Sequence, residues 1–181
     1  VAQGVVKQVQ FTDLRAEIAF AKQKLNIGPL QFSLYDGDYE GRVQFDLTAP
    51  DPQYVFESKL VNVDSNQLLT ASASAKDVVY GMLFADASIA GQGFSPEQIA
   101  QNLSGKGAVK IESGKFASFD IWQNIARIFD LLGSDRQSDE LRQIGADFSR
   151  FPNETNFSRF EAAFDLKNGE GGTSEITLAI P

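Results

Sequence analysis

The sequence predicts an α+β domain that is mostly β: a strongly twisted antiparallel meander sheet with two or three helices. An open apolar trough and a closed core are the alternative roles of its apolar face. Three observations predict this. Apolar residues recur at every second position in successive runs from Val5 to Leu60. Gly, Pro, Asp and Asn punctuate the runs, and helical spacing enters only later in the chain.

In the first run Val5, Lys7, Val9 and Phe11 alternate with Val6, Gln8 and Gln10. Leu30, Phe32 and Leu34 alternate with Gln31, Ser33 and Tyr35, and Val43, Phe45 and Leu47 with Gln44 and Asp46. Tyr54, Phe56, Ser58 and Leu60 then alternate with Glu57 and Lys59. Period two with one apolar side describes strands buried on one face and wetted on the other. Asp36-Gly37, between the second and third of these runs, predicts a hairpin because Gly tolerates positive φ. Pro50-Asp51-Pro52 ends the third run, since proline cannot donate to a ladder, and Asn62 to Asn66 reads as another break. Val78 to Phe84 is a continuous apolar run of strand length.

Ser95-Pro96-Glu97-Gln98 predicts a helix start with a Ser N-cap, Pro at the first helical position and Gln three residues after the cap. Ile99 and Leu103 share its face and Gly105 ends it. A second helix is predicted from Asp120, with Ile121, Ile125, Ile128, Phe129 and Leu132 on one stripe and Gly133 as its stop. A third runs from Ser138 to Pro152 with Leu141, Ile144 and Phe148 inward. Ala108–Phe116, Phe160–Leu166 and Ser174–Ile180 return to strand period, and Gly169 to Gly172 is a turn between two strands. No linker, charge block or low-complexity tract divides the chain, so residues 1–181 are expected to form one domain.

Composition narrows function by exclusion. The 181 residues include no His and no Cys, which removes Ser-His-Asp and Cys-His catalysis, His- or thiolate-ligated metals, and disulfides. The net charge is −8, and the 16 basic residues are scattered, so neither nucleic acid nor an anionic membrane surface finds a basic face. No stretch approaches the ~20 apolar residues of a membrane span. The chain opens at Val1 and its only Met is Met82, as expected of a processed chain or an excised piece.

Candidate chemistry is sparse. Asp36-Gly37-Asp38-Tyr39-Glu40-Gly41 starts like a calcium loop, but the twelfth position is Leu47 rather than a bidentate Glu, so a polar hairpin tip is the better reading. Gly91-Gln92-Gly93 and Gly105-Lys106-Gly107 complete no phosphate-binding motif, and the latter reads as a turn closing a short helix. Tyr35, Asp38 and Tyr39 form the most sugar-like cluster, which an edge strand explains equally well. The triplets beginning at Asn102, Asn153 and Asn156 have the form of glycan acceptors and arise readily in Asn/Ser-rich turns. No enzyme, metal or cofactor is expected.

The aromatic stripe is the strongest signal. Phe32, Phe45, Phe56 and Phe84 sit at strand spacing among aliphatic neighbours, and an uncovered apolar face rimmed by polar residues marks a binding surface. Leu30, Phe32, Leu34, Val43, Phe45, Leu47, Phe56 and Leu60 are the candidates for that face, with sealed core as the competing role of each.

The segment Leu103-Ser-Gly105-Lys-Gly107-Ala-Val-Lys-Ile-Glu-Ser-Gly114-Lys-Phe-Ala-Ser-Phe-Asp120-Ile121 resembles the C-terminal signature of AsmA-like proteins: a G-x-G strand, a Gly turn and a second strand leading into a helix opened by Asp. Thr155 to Gly169 resembles the same family's Phe-rich strand and Gly turn. Gly28-Pro29-Leu30, Tyr35-Asp36-Gly37 and Gly41-Arg42-Val43 resemble its preceding strands, and Asn62-Val63-Asp64 with Leu68-Leu69 its short turn and helix start. The resemblance covers residues 27–180 and is densest over 91–170. It implies an envelope protein of Gram-negative bacteria, held at the inner membrane by a segment absent from this chain, with most of its length in the periplasm. It also implies similarity to bridge-type lipid carriers, whose curled sheets move phospholipid or support outer-membrane biogenesis without catalysis. The expected partners are phospholipid or another acyl lipid, and envelope proteins. The competing expectations are a structural or protein-interaction module assisting outer-membrane protein assembly, and a carbohydrate-binding or hydrolytic β domain.

Overall fold

The computed structural model describes residues 3–6, 8–73, 76–117, 143 and 154–180. Among them are nine strands: β1 (Gln3–Val6), β2 (Val9–Ala21), β3 (Lys24–Leu34), β4 (Gly37–Asp46), β5 (Gln53–Asp64), β6 (Val79–Gln92), β7 (Ser104–Phe116), β8 (Thr155–Lys167) and β9 (Glu170–Ala179). Two helices interrupt them, α1 (Ser65–Ala73) between β5 and β6, and α2 (Pro96–Asn102) between β6 and β7. The strands form one antiparallel sheet in the order of the chain, each pairing only with its sequence neighbours, and the sheet does not close on itself. The helices among the described residues are too short to cross a membrane.

Tight hairpins hold this order. Lys22-Gln23, Tyr35-Asp36 and Asn168-Gly169 each supply two successive residues at positive φ, the primed-turn geometry whose twist matches that of the flanking strands. Asp36-Gly37 thus marks a hairpin as expected, but Gly37 is not the residue that turns. It opens β4, where a Cβ would lie 2.5 Å from the Val61 carbonyl oxygen. The glycine is required by close backbone approach.

The longer connections carry the helices. Asp64 caps α1 by accepting the Gln67 amide at 2.9 Å, and the Ser65 hydroxyl donates to the Val79 carbonyl. Ser95 and Gln98 form the expected capping box at the start of α2. Gly105 and Gly107, expected in a turn, lie inside β7, and β7 runs on through Gly114 to Phe116 without a reversal. The expected run from Val5 to Phe11 is divided between β1 and β2, and β2 continues to Ala21. The helices predicted from Asp120 and Ser138 lie outside the described residues.

Left-handed residues reset the alternation within strands. At Asp13 in β2 and Asn62 in β5, two residues face one on the neighbouring strand, and Ser113 in β7 does the same opposite Gly81. Each bulge moves the next apolar residue back onto the same face. Val9 and Phe11 in β2 are thereby followed on that face by Ala16, Ile18 and Phe20, and Phe56 and Leu60 in β5 by Val63.

The core lies at the end of the sheet that carries α1. Leu34, Val63, Val79, Leu83, Ile111, Phe116, Phe157 and Phe160 are buried there, with Leu68 and Leu69 of α1 packed against them.

Candidate functional site

Cross-strand register assembles one apolar face from consecutive strands. Leu30 opposes Gly41 and Phe32 opposes Tyr39; Val43 opposes Phe56, Phe45 opposes Tyr54, and Tyr39 opposes Leu60. The face continues through Phe56–Ile89 and Leu60–Ala85 to Ala85–Val109 and Val109–Ala162, ending at Ala162–Ile176. Seven of the eight candidate residues, Leu30, Phe32, Leu34, Val43, Phe45, Phe56 and Leu60, share it. Leu47 lies one residue beyond β4, where its amide donates to the Gln23 carbonyl.

The face differs from end to end. Leu34 is sealed in the core beside Val63. At the opposite end, near α2, large apolar side chains reach solvent: Ile18 is 69% exposed, Phe20 65%, Phe94 53%, and Phe56 and Phe164 are partly bare. Hydrophobic side chains of this size are normally covered, and these lie toward the α2 end on strands as far apart as β2 and β8.

Aromatic packing covers part of this end of the face. Phe45 meets Phe56 edge-on with centroids 5.7 Å apart, and Phe94, in the segment leading to α2, lies over Tyr54. Several rings lean across the sheet onto opposing glycines. A Cβ on Gly91 would lie 2.4 Å from the Tyr54 hydroxyl, and one on Gly114 would lie 2.3 Å from Phe157 Cζ. Toward the closed end Phe32 stacks on Tyr39 at 4.4 Å, and burial pushes the Tyr39 phenol above its ordinary pKa.

Charge is kept off this surface. Lys24 Nζ lies 2.7 Å from Asp46 Oδ2 at the β3–β4 rim of the sheet, and the Thr48 hydroxyl and amide donate to Asp46 Oδ1. The hydrogen bond from Lys24, followed by those from Thr48, holds the Asp46 carboxyl down at about 2. On the opposite face Glu40 pairs across from Lys59, Lys110 bonds Glu112, and Arg159 bonds Glu161.

Phe84 departs from the expected stripe. It opposes Lys110 on the polar face, and the Lys110 ammonium sits 4.6 Å from its ring centroid. A shallow cavity of about 460 Å³ opens there, lined by Phe84, Lys59, Asp86, Lys110, Arg159 and Glu175 among others. The sugar-like cluster is also dispersed: Tyr39 joins the apolar face, Asp38 accepts from Ser33 on the other, and the Tyr35 hydroxyl accepts the Gln10 amide. Among the described residues no group of acidic side chains is arranged to hold a metal ion.

Sequence reasoning missed Ile18, Phe20 and Phe94 at this end of the face. Ile18 and Phe20 alternate with Glu17 and Ala19, a strand signal diluted by alanines on both faces. Tyr54 was legible in its alternating run, whereas Phe94 lies outside any strand and carries no periodic signal.

No curated protein and no solved structure matches the chain. A family model does, over residues 3–175, and the chain belongs to the AsmA family.

Proposed function

We propose that this chain is a non-catalytic, lipid-handling segment of a periplasmic protein, held at the inner membrane through a segment outside this chain. Acyl chains lie along the apolar face and headgroups stay in water at its mouth. The movement of lipid then needs no bond chemistry, which fits a chain without His or Cys. Membership of the AsmA family supports a role in envelope lipid transport or outer-membrane assembly.

The observation that carries the reading is the apolar face itself, which is buried beside α1 and carries the exposed Ile18, Phe20, Phe56 and Phe164 toward its α2 end. Each methylene buried on such a surface contributes about 0.8 kcal/mol, so two acyl chains suffice for tight retention without a polar recognition site.

A photo-crosslinking amino acid at Phe45, and separately at Lys167, in the full-length protein in cells tests this. Phe45 lies on the apolar face and Lys167 is exposed at the β8–β9 hairpin. Phospholipid adducts at Phe45 and not at Lys167 are expected. Protein adducts alone at Phe45 would overturn the lipid reading.

One observation favours the second reading, a docking module for envelope proteins. β1 pairs only with Val9–Thr12, so among the described residues Asp13–Ala21 of β2 offers an unpaired edge bearing the exposed Ile18 and Phe20. An added client strand would satisfy that edge.

A further inference from the structure

Gly107 and Phe164 oppose each other in the β7–β8 ladder. A Cβ at Gly107 would lie 2.4 Å from Phe164 Cζ and 2.6 Å from Cε1. The far edge of the ring therefore occupies the space directly over the glycine. Directly opposed side chains start about 5 Å apart at Cβ, so a ring that reaches its partner's Cβ position lies across the sheet and does not stand up from it. Phe164 remains 36% exposed in this posture, whereas Tyr54, which leans on Gly91 in the same way, is 6% exposed beneath its aromatic neighbours.

We propose that Gly107 sets the depth of the trough, by allowing the Phe164 ring to lie flat and out of the path of an acyl chain. Any side chain at position 107 drives the ring to a rotamer that stands in the path the lipid takes. Gly107 and Phe164 are then positioning residues for the occupant, and their effect is exclusion by volume. The inference rests on the lipid reading and adds to it a determinant of capacity.

The Cβ of an alanine at 107 would also come within 2.8 Å of the Asp86 carbonyl oxygen, so Gly107→Ala alone mixes ring displacement with backbone strain. Combination with Phe164→Ala separates the two, because it removes the displaced ring and leaves the strain. The assay is labelling of the full-length protein in membranes by a diazirine-tagged palmitoyl phospholipid, with thermal melting followed in parallel.

Gly107→Ala is expected to lower labelling by about fourfold for each methylene displaced. Phe164→Ala is expected to label at least as strongly as the unaltered protein, and the double variant to return to the Phe164→Ala level. Labelling of Gly107→Ala equal to that of the unaltered protein overturns the inference and leaves the lipid reading standing. A double variant as weak as Gly107→Ala, or weak labelling of Phe164→Ala, does the same. An unaltered protein that takes no label overturns the lipid reading itself.

Discussion

Tyr54 and Phe94 stack with ring centroids 5.8 Å apart and planes 12° from parallel, joining the middle of the sheet to the segment that leads into α2. Tyr54 is buried beneath, and Phe94 is half exposed above. Phe94 also meets Phe45 edge-on at 6.1 Å, so Phe94→Ala is expected to destabilise the protein by about 2 kcal/mol, the worth of two aromatic pairs. Urea denaturation measures it, and a loss several times larger would mean that Phe94 holds α2 in place as well as covering Tyr54.

The two ends of the apolar face predict unequal responses to the same truncation. Ile111 is buried in the core, and Ile111→Ala is expected to cost about 3 kcal/mol. Ile18→Ala, at a largely exposed position, is expected to change stability by less than about 0.5 kcal/mol. Equal costs in urea titrations would show that the mouth is as tightly packed as the core.

The start of α2 depends on reciprocal bonds. The Ser95 hydroxyl accepts the Gln98 amide, and Gln98 Oε1 accepts the Ser95 amide while its amide group donates to Asp51 at 2.7 Å. Ser95→Ala is expected to cost about 1 kcal/mol. Ser95→Asp, which keeps the acceptor, should recover most of it in the same melts.

Acid titration reaches Asp46. Its carboxyl is depressed from 3.8 to about 2 in the folded state, chiefly by Lys24 and then by Thr48. A depressed carboxylate contributes stability in full above its unfolded pKa and loses that contribution as pH falls through its folded one. The β3–β4 rim is therefore expected to weaken between about pH 5 and pH 2. NMR titration should place the Asp46 midpoint near 2, and Lys24→Met should move it toward the ordinary carboxylate range.

The meander and the α2 cap were legible from local rules, because each depends on neighbours in sequence. Phase was not. Asp13, Asn62 and Ser113 turn left-handed and restart the alternation, and nothing in an Asp, Asn or Ser identifies which one will do so. Val78 to Phe84 is apolar throughout, so it hides its own phase, and only pairing with β7 assigns Leu83 inward and Phe84 outward. The candidate residues of β3 to β5 fall on one face because the alternation there is clean. Exposure at Ile18, Phe20 and Phe164 was not legible, since it depends on what the rest of the chain leaves uncovered.

The strand order equals the chain order, and the sheet never closes. Apart from β7 and β8, whose paired ends are separated by residues 117–154, each strand finds its partner close by in the chain, so the entropy of closing loops is small at most steps. Folding can then advance in the direction of synthesis, one hairpin behind the emerging chain, without waiting for the C-terminal strand. Growth by duplication follows the same logic: an added hairpin lengthens the sheet and leaves every existing pair in register.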